Sequence, residues 1–244
     1  MTSLNENRMI HMYIPDDYMD SGKVYPVLYM FDGQNLFLDD DATFHHSWHL
    51  IEAVEQKNLD LIIVGQECSH IGNNRLNEYG PYPFADFDVK EAFEGLGYLT
   101  MDFFINELKP HIDKNYPTNP SRECTWIGGS SCGGLMALYA QLVHSDIYSK
   151  SLVISPFVAP VEDYLYIESY YSHFYDESAI YMSWGALEDG KHEFVNETKI
   201  CTRIVSLLQN KGVHFHLNVK PYGHHSEIDW SKECNEFLEF LFNE

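Results

Sequence analysis

Short, wholly apolar runs recur along the chain and are separated by longer stretches in which apolar positions return every three or four residues. Val27 to Phe31, Leu61 to Gly65, Leu152 to Ser155 and Ile180 to Trp184 read as strands with no polar face, and Met9 to Ile14, Thr125 to Ile127 and His214 to Val219 complete the series. Between them the helical period marks about Ser47 to Gln56, Leu99 to Lys114, Gly133 to Val143, Thr198 to Lys211 and Ser231 to Phe242. A strand that is apolar at every position has both faces covered. Alternation of such strands with amphipathic helices therefore predicts an α/β fold: a mostly parallel sheet with helices on both sides.

No repeat, low-complexity tract or Pro/Gly/Ser linker interrupts residues 1–244, so one domain is expected. Two connections are too long for simple turns, one over about residues 67–97 and the other over 156–178. Segments of that length in a compact domain usually carry small elements or form the walls of a site. The second holds Phe157, Tyr164, Tyr166, Tyr170, Tyr171, Phe174 and Tyr175. These rings suit either a lid over an acyl or aromatic substrate or a short helix packed on the sheet.

Composition narrows the function. With 15 Lys+Arg against 37 Asp+Glu, the net charge of −22 repels nucleic-acid phosphates and anionic lipid, and small neutral or cationic ligands are favoured. The five cysteines are scattered and never spaced as CxxC, which argues against a disulfide framework or a zinc knuckle and for a reducing compartment. The first residues, Met1 to Arg8, lack the basic-then-apolar order of a signal peptide, and no run reaches about 18 apolar residues. The expectation is a cytoplasmic protein that binds neither nucleic acid nor membrane; a homo-oligomer is compatible with these residues.

The sharpest chemical signal is Gly129-Ser130-Ser131-Cys132-Gly133, a G-x-S-x-G lying between an expected strand and an expected helix. That register selects Ser131 as nucleophile. The hydroxyl must stand on a sharp turn, so residues two before and two after it cannot carry side chains that collide with the flanking elements. The helix start behind it supplies partial positive charge where an oxyanion forms, and the Cys132 amide is the natural donor. Cys132 itself fits the nucleophile position less well, because Ser130 then stands where glycine is wanted.

A serine nucleophile needs a base, and the base needs an acceptor to orient it. Pro221-Tyr222-Gly223-His224-His225-Ser226-Glu227-Ile228-Asp229-Trp230 follows the last strand, and by position either His224 or His225 serves. The acid is sought in the turn Gly185-Ala186-Leu187-Glu188-Asp189-Gly190 at the end of the penultimate strand, with Glu188 and Asp189 as candidates. A second oxyanion donor is expected after Val27 to Phe31, where Gly33 lets the backbone turn the Gln34 amide inward.

These segments together resemble the esterase family of the α/β-hydrolase superfamily, related to esterase D and the enterochelin esterases. The resemblance runs through Tyr25-Pro26-Val27-Leu28-Tyr29-Met30-Phe31-Asp32-Gly33-Gln34-Asn35-Leu36-Phe37, Arg75-Leu76-Asn77-Glu78-Tyr79, Phe104 to Pro110, Ile127 to Leu135 and His225-Ser226-Glu227-Ile228-Asp229-Trp230. It implies Ser131 as nucleophile, His225 of an H-x-E-x-x-W pattern as base and Glu188 of a G-x-x-E/D turn as acid. It also sets Arg75, Glu78, Tyr79 and Trp230 beside the substrate, although an Arg75–Glu78 pair that stiffens the loop is an equal reading of those two residues. Phe31 and Cys132 depart from the family's frequent His and Met, which bears on pocket shape. The implied activity is hydrolysis of carboxylic esters, of short-chain acyl or acylated-sugar and aromatic type, with thioester hydrolysis, acyl transfer and ligand binding without catalysis as the competing classes.

Asp39-Asp40-Asp41 with His45-His46 is the remaining cluster. No helical or strand spacing converges these side chains, so a solvated acidic loop is expected, with no metal and no cofactor.

Overall fold

A computed structural model describes residues 1–86, 89–188 and 193–243. Its main sheet has seven strands: β1 (Ile10–Tyr13), β2 (Val27–Phe31), β3 (Ile62–Gln66), β6 (Thr125–Ser130), β7 (Lys150–Ile154), β8 (Ala179–Gly185) and β9 (His214–Lys220), in the order β1-β3-β2-β6-β7-β8-β9. Only β1 runs antiparallel to its neighbour; the other pairings are parallel. A separate hairpin, β4 (Phe84–Asp86) with β5 (Glu91–Phe93), lies in the first long connection.

The apolar strands divide their residues between two cores, because successive side chains point to opposite faces. Along β2, Val27, Tyr29 and Phe31 enter one core, while Leu28 and Met30 enter the other. The first core is roofed by α3 (Gly97–Phe103), α4 (Lys109–Asn115), α5 (Cys132–Val143), α6 (Glu162–Tyr171) and α7 (Phe194–Gln209). A π turn at Phe104–Leu108 joins α3 to α4. The second is covered by α1 (Leu50–Gln56), α8 (Glu227–Ser231) and α9 (Cys234–Phe242). The short α2 (Asn74–Glu78) precedes the hairpin. Among the described residues no helix is long and apolar enough to cross a membrane.

All seven expected strands are present, β2 with the expected ends and the other six with altered ones. The expected C-terminal helix is two pieces, α8 and α9, and begins earlier, at Glu227. The two long connections separate in kind. Segment 156–178 holds a 3-10 turn at Ala159–Val161 and α6, whose Leu165 and Tyr166 are buried in the first core beside α5 and α7 while Tyr164, Tyr170 and Tyr171 face solvent. Segment 67–97 holds α2 and the hairpin, and its first part forms a cavity wall.

Candidate active site

Six loops leave the carboxyl ends of the parallel strands on one side of the sheet, where α/β sheets bind ligands. Ser131 sits between β6 and α5 with φ 57° and ψ −122°, a backbone strain that L-residues adopt only when their surroundings impose it. The imposing contacts are visible. A Cβ at Gly129 would lie 2.7 Å from the Gly133 carbonyl carbon, and one at Gly133 would lie 2.9 Å from Phe31 Cβ. The two glycines thus let strand and helix meet at the sharp turn. The Ser131 amide donates to the Ile154 carbonyl at 3.0 Å, which ties the turn to β7.

The histidine loop is held against the acid loop by a similar close approach. A Cβ at Gly185 would lie 2.2 Å from the Gly223 carbonyl oxygen, and that same oxygen accepts from the Leu187 amide at 3.0 Å. His225 Nδ1 then lies 2.8 Å from Glu188 Oε2. Glu188 Oε1 accepts from Ser155 Oγ at 2.7 Å and from the Gly185 amide at 2.6 Å. Ser155 Oγ in turn accepts from Trp230 Nε1 at 2.9 Å, and the Trp230 ring stands edge-on to His225 with centroids 4.9 Å apart. Burial pushes the Glu188 carboxyl up, but the donors from His225, Ser155 and Gly185 outweigh it and hold the group below its usual range. A carboxylate fixed this way can receive Nδ1–H and hold the ring in one tautomer, with the opposite nitrogen unprotonated.

His224, the alternative base, faces elsewhere. Its Nδ1 meets Asp229 Oδ2 at 3.1 Å, and its side chain is 60% exposed against 24% for His225. Asp189, the alternative acid, lies outside the described residues. Cys132 is buried, which pushes its thiol up and keeps it protonated. As the first residue of α5 it has an amide with no acceptor within its own helix. Gln34 lies in the 3-10 turn Gly33–Asn35, ahead of the turn's first hydrogen bond, from the Asn35 amide to the Asp32 carbonyl.

Ser131 and His225 share a cavity of about 450 Å³, walled further by Gln34, Cys68, Arg75, Glu227 and Trp230. Arg75 does not pair with Glu78. It grips Asp32 with two parallel bonds, Nε to Oδ1 at 2.8 Å and Nη2 to Oδ2 at 2.6 Å. Glu78 instead binds Arg8, and buried Tyr79 donates to Gln66 Oε1 at 2.7 Å and accepts from the Asp32 amide at 3.3 Å. Of the four residues expected beside the substrate, Arg75 and Trp230 line the cavity, whereas Glu78 and Tyr79 lie behind it, because their helix turns them toward the N-terminal segment and β3.

Sequence reasoning missed three residues. Ser155 bridges Trp230 to Glu188, and only its place at the end of a central strand hinted at a role. Asp32, in the left-handed region at φ 56°, anchors Arg75. Glu227 lies on the cavity wall, accepts from Asn35 Nδ2 at 3.3 Å, and has its carboxyl pushed up by burial. Asp32 and Glu227 both fall inside quoted motifs, which was the available signal.

Comparison with known proteins agrees with this architecture. The chain is 30% identical over 147 residues to the uncharacterized protein YbbA of Bacillus subtilis, which covers 59% of this chain and 54% of that protein. The match thus spans about half the length of that relative. Among solved structures, the BES protein from Bacillus cereus superposes with a TM-score of 0.72 at 23% identity over 96% of this chain and 90% of that one. An IroE-like serine hydrolase from Shewanella oneidensis gives 0.75 at 19% identity over 98% and 78%. These likenesses carry the α/β-hydrolase fold. The family model described as "Putative esterase" matches residues 1–241, and the chain belongs to that esterase family.

Proposed function

We propose that the chain is a serine hydrolase of carboxylic esters working through Ser131, His225 and Glu188. The observation that carries this reading is the convergence of a strained serine and a carboxylate-held histidine on one cavity. Ser131 Oγ attacks the ester carbonyl as His225 takes its proton, and the amides of Cys132 and Gln34 receive the oxyanion. Collapse of the tetrahedral species breaks the ester C–O bond, and His225 returns the proton to the departing alkoxide. Water, deprotonated by the same imidazole, attacks the acyl-enzyme and frees the acid and Ser131. Glu188 positions the ring and stabilises its cationic form throughout.

A cavity of about 450 Å³ takes a short acyl group, and the Asp32–Arg75 and Glu227 wall suits a polar alcohol such as a sugar. Hydrolysis of p-nitrophenyl esters from acetate to octanoate tests the reading. Turnover highest at short chain length and abolished in Ser131→Ala is expected, and equal turnover in that variant contradicts it.

A further inference from the structure

The loop between the Gly33–Asn35 turn and α1 brings together three metal-ligating side chains that the proposed ester chemistry does not use. Ligand atoms of Asp39, His46 and His49 all lie within 4.8 Å of one another. The convergence is built by the backbone. Ser47 donates its amide to Asp39 Oδ1 at 2.7 Å and its hydroxyl to the Phe37 carbonyl at 3.2 Å, while Trp48 is buried and His49 takes a left-handed φ of 52°. This folds His49 back so that its Nε2 stands 3.5 Å from Asp39 Oδ1, with the His46 ring edge-on at a centroid distance of 5.2 Å. The expectation of a solvated loop rested on Asp40, Asp41 and His45 as neighbours. The observed set replaces them with His49, three residues beyond His46.

Two imidazoles and one carboxylate form a borderline donor set, suited to Zn²⁺, Ni²⁺ or Cu²⁺ and poorly suited to Mg²⁺ or Ca²⁺. Asp39 and His49 are about half exposed, so an ion can enter and water can complete its shell. Ligand bonds of about 2.0 to 2.2 Å need only small side-chain rotations from this arrangement, in which His46 gives up or keeps its 3.3 Å contact to Ser231 Oγ according to the nitrogen used. Thr43 and Phe44 lie between Asp39 and His46 in the chain, and both line the cavity that holds Ser131. Phe44 is 72% exposed there.

We propose that Asp39, His46 and His49 bind one divalent transition-metal ion, and that the ion staples this loop so as to fix Phe44 at the cavity mouth. The site is independent of the ester-hydrolysis reading, and its test reads binding. Full-length chain stripped with EDTA is titrated with Zn²⁺ against a chromophoric chelator, with Mg²⁺ as control for loose attraction to the acidic surface. One equivalent that outcompetes Mg²⁺ is expected, weakened at least about tenfold in each of Asp39→Asn, His46→Gln and His49→Gln and unchanged in His45→Gln. Zn²⁺ binding no stronger than Mg²⁺, or indifferent to those three substitutions, overturns the site. A Phe44→Trp reporter should change its emission on Zn²⁺ addition, and only while His49 is present. Stoichiometric binding with no change at that reporter overturns the link to the cavity.

Discussion

Two adjacent histidines in the loop after β9 each pair with a buried carboxylate, and the two rings differ in exposure and in what they face. His225 meets a carboxylate that is fully buried, receives two further donors and faces the cavity of Ser131. His224 meets Asp229, a carboxylate that also accepts from the His224 amide and from Lys232, but its own ring is 60% exposed and lies off that cavity. A proton-transfer pair must be fixed in geometry and shielded from water, and only the first pair meets both conditions. Adjacent residues of one type thus have separate fates, set by the backbone. Close approach of Gly223 to Gly185 brings one ring to β8 and leaves the other outside.

The strongest way to break this contrast is to remove each ring. His225→Ala should lower kcat about 10⁴-fold or more, as should Ser131→Ala, since members of such a unit fail together. His224→Ala should stay within about threefold, because that ring is exposed and does not line the cavity of Ser131. Steady-state hydrolysis of one p-nitrophenyl ester measures all three. At the carboxylates, Glu188→Gln should cost about 10³- to 10⁴-fold by leaving the wrong imidazole tautomer, while Asp229→Asn stays near wild type.

Arg75 and Asp32 form an ion pair that holds no histidine, with Asp32 buried and Arg75 partly exposed on the cavity wall. Arg75→Met leaves Asp32 uncompensated in the cavity wall and should cost about 3 kcal/mol, read as a fall in Tm of about 2 to 4 °C per kcal/mol. Removal of the outer contact in Ser155→Ala frees Glu188 of one donor and should lower kcat about tenfold, or roughly 1.4 kcal/mol, with KM little changed.

The smallest effect concerns pH. Because the native Glu188 carboxyl lies below its ordinary value, its contribution to stability is complete above the ordinary carboxylate range and is lost as pH falls through the lowered native value. Urea titrations of Glu188→Gln should therefore show a shallower decline of stability with acid than wild type.

Legibility in the sequence followed the length and regularity of each signal. β2 was readable to the residue, since five consecutive apolar positions end at Asp32. β6 runs three residues past its expected end at Ile127, because glycines look like turn residues. At Gly128, however, a Cβ would lie 2.9 Å from Leu152 Cβ, so the glycine serves packing inside the strand. α7 starts four residues early, capped by Glu193, whose carboxylate accepts from the Val195 and Asn196 amides. Glu is outside the usual set of caps, and the start was missed.

The site was legible where chemistry demands a fixed local pattern, as at Ser131. It was not legible where partners are distant in the chain. Asp32 with Arg75 and Ser155 with Glu188 are joined only by the order of the strands, and His49 joins Asp39 only through a left-handed backbone turn. Local periodicity carries none of these.

In the proposed reaction Ser131 is an activated nucleophile. Intact-protein and peptide mass spectrometry after brief exposure to a fluorophosphonate reads this directly. A single adduct on the peptide containing Ser131 is predicted, formed in His224→Ala at the wild-type rate and slowed by orders of magnitude in His225→Ala. Labelling at another residue, or equal rates in the two histidine variants, would contradict activation of Ser131 by His225.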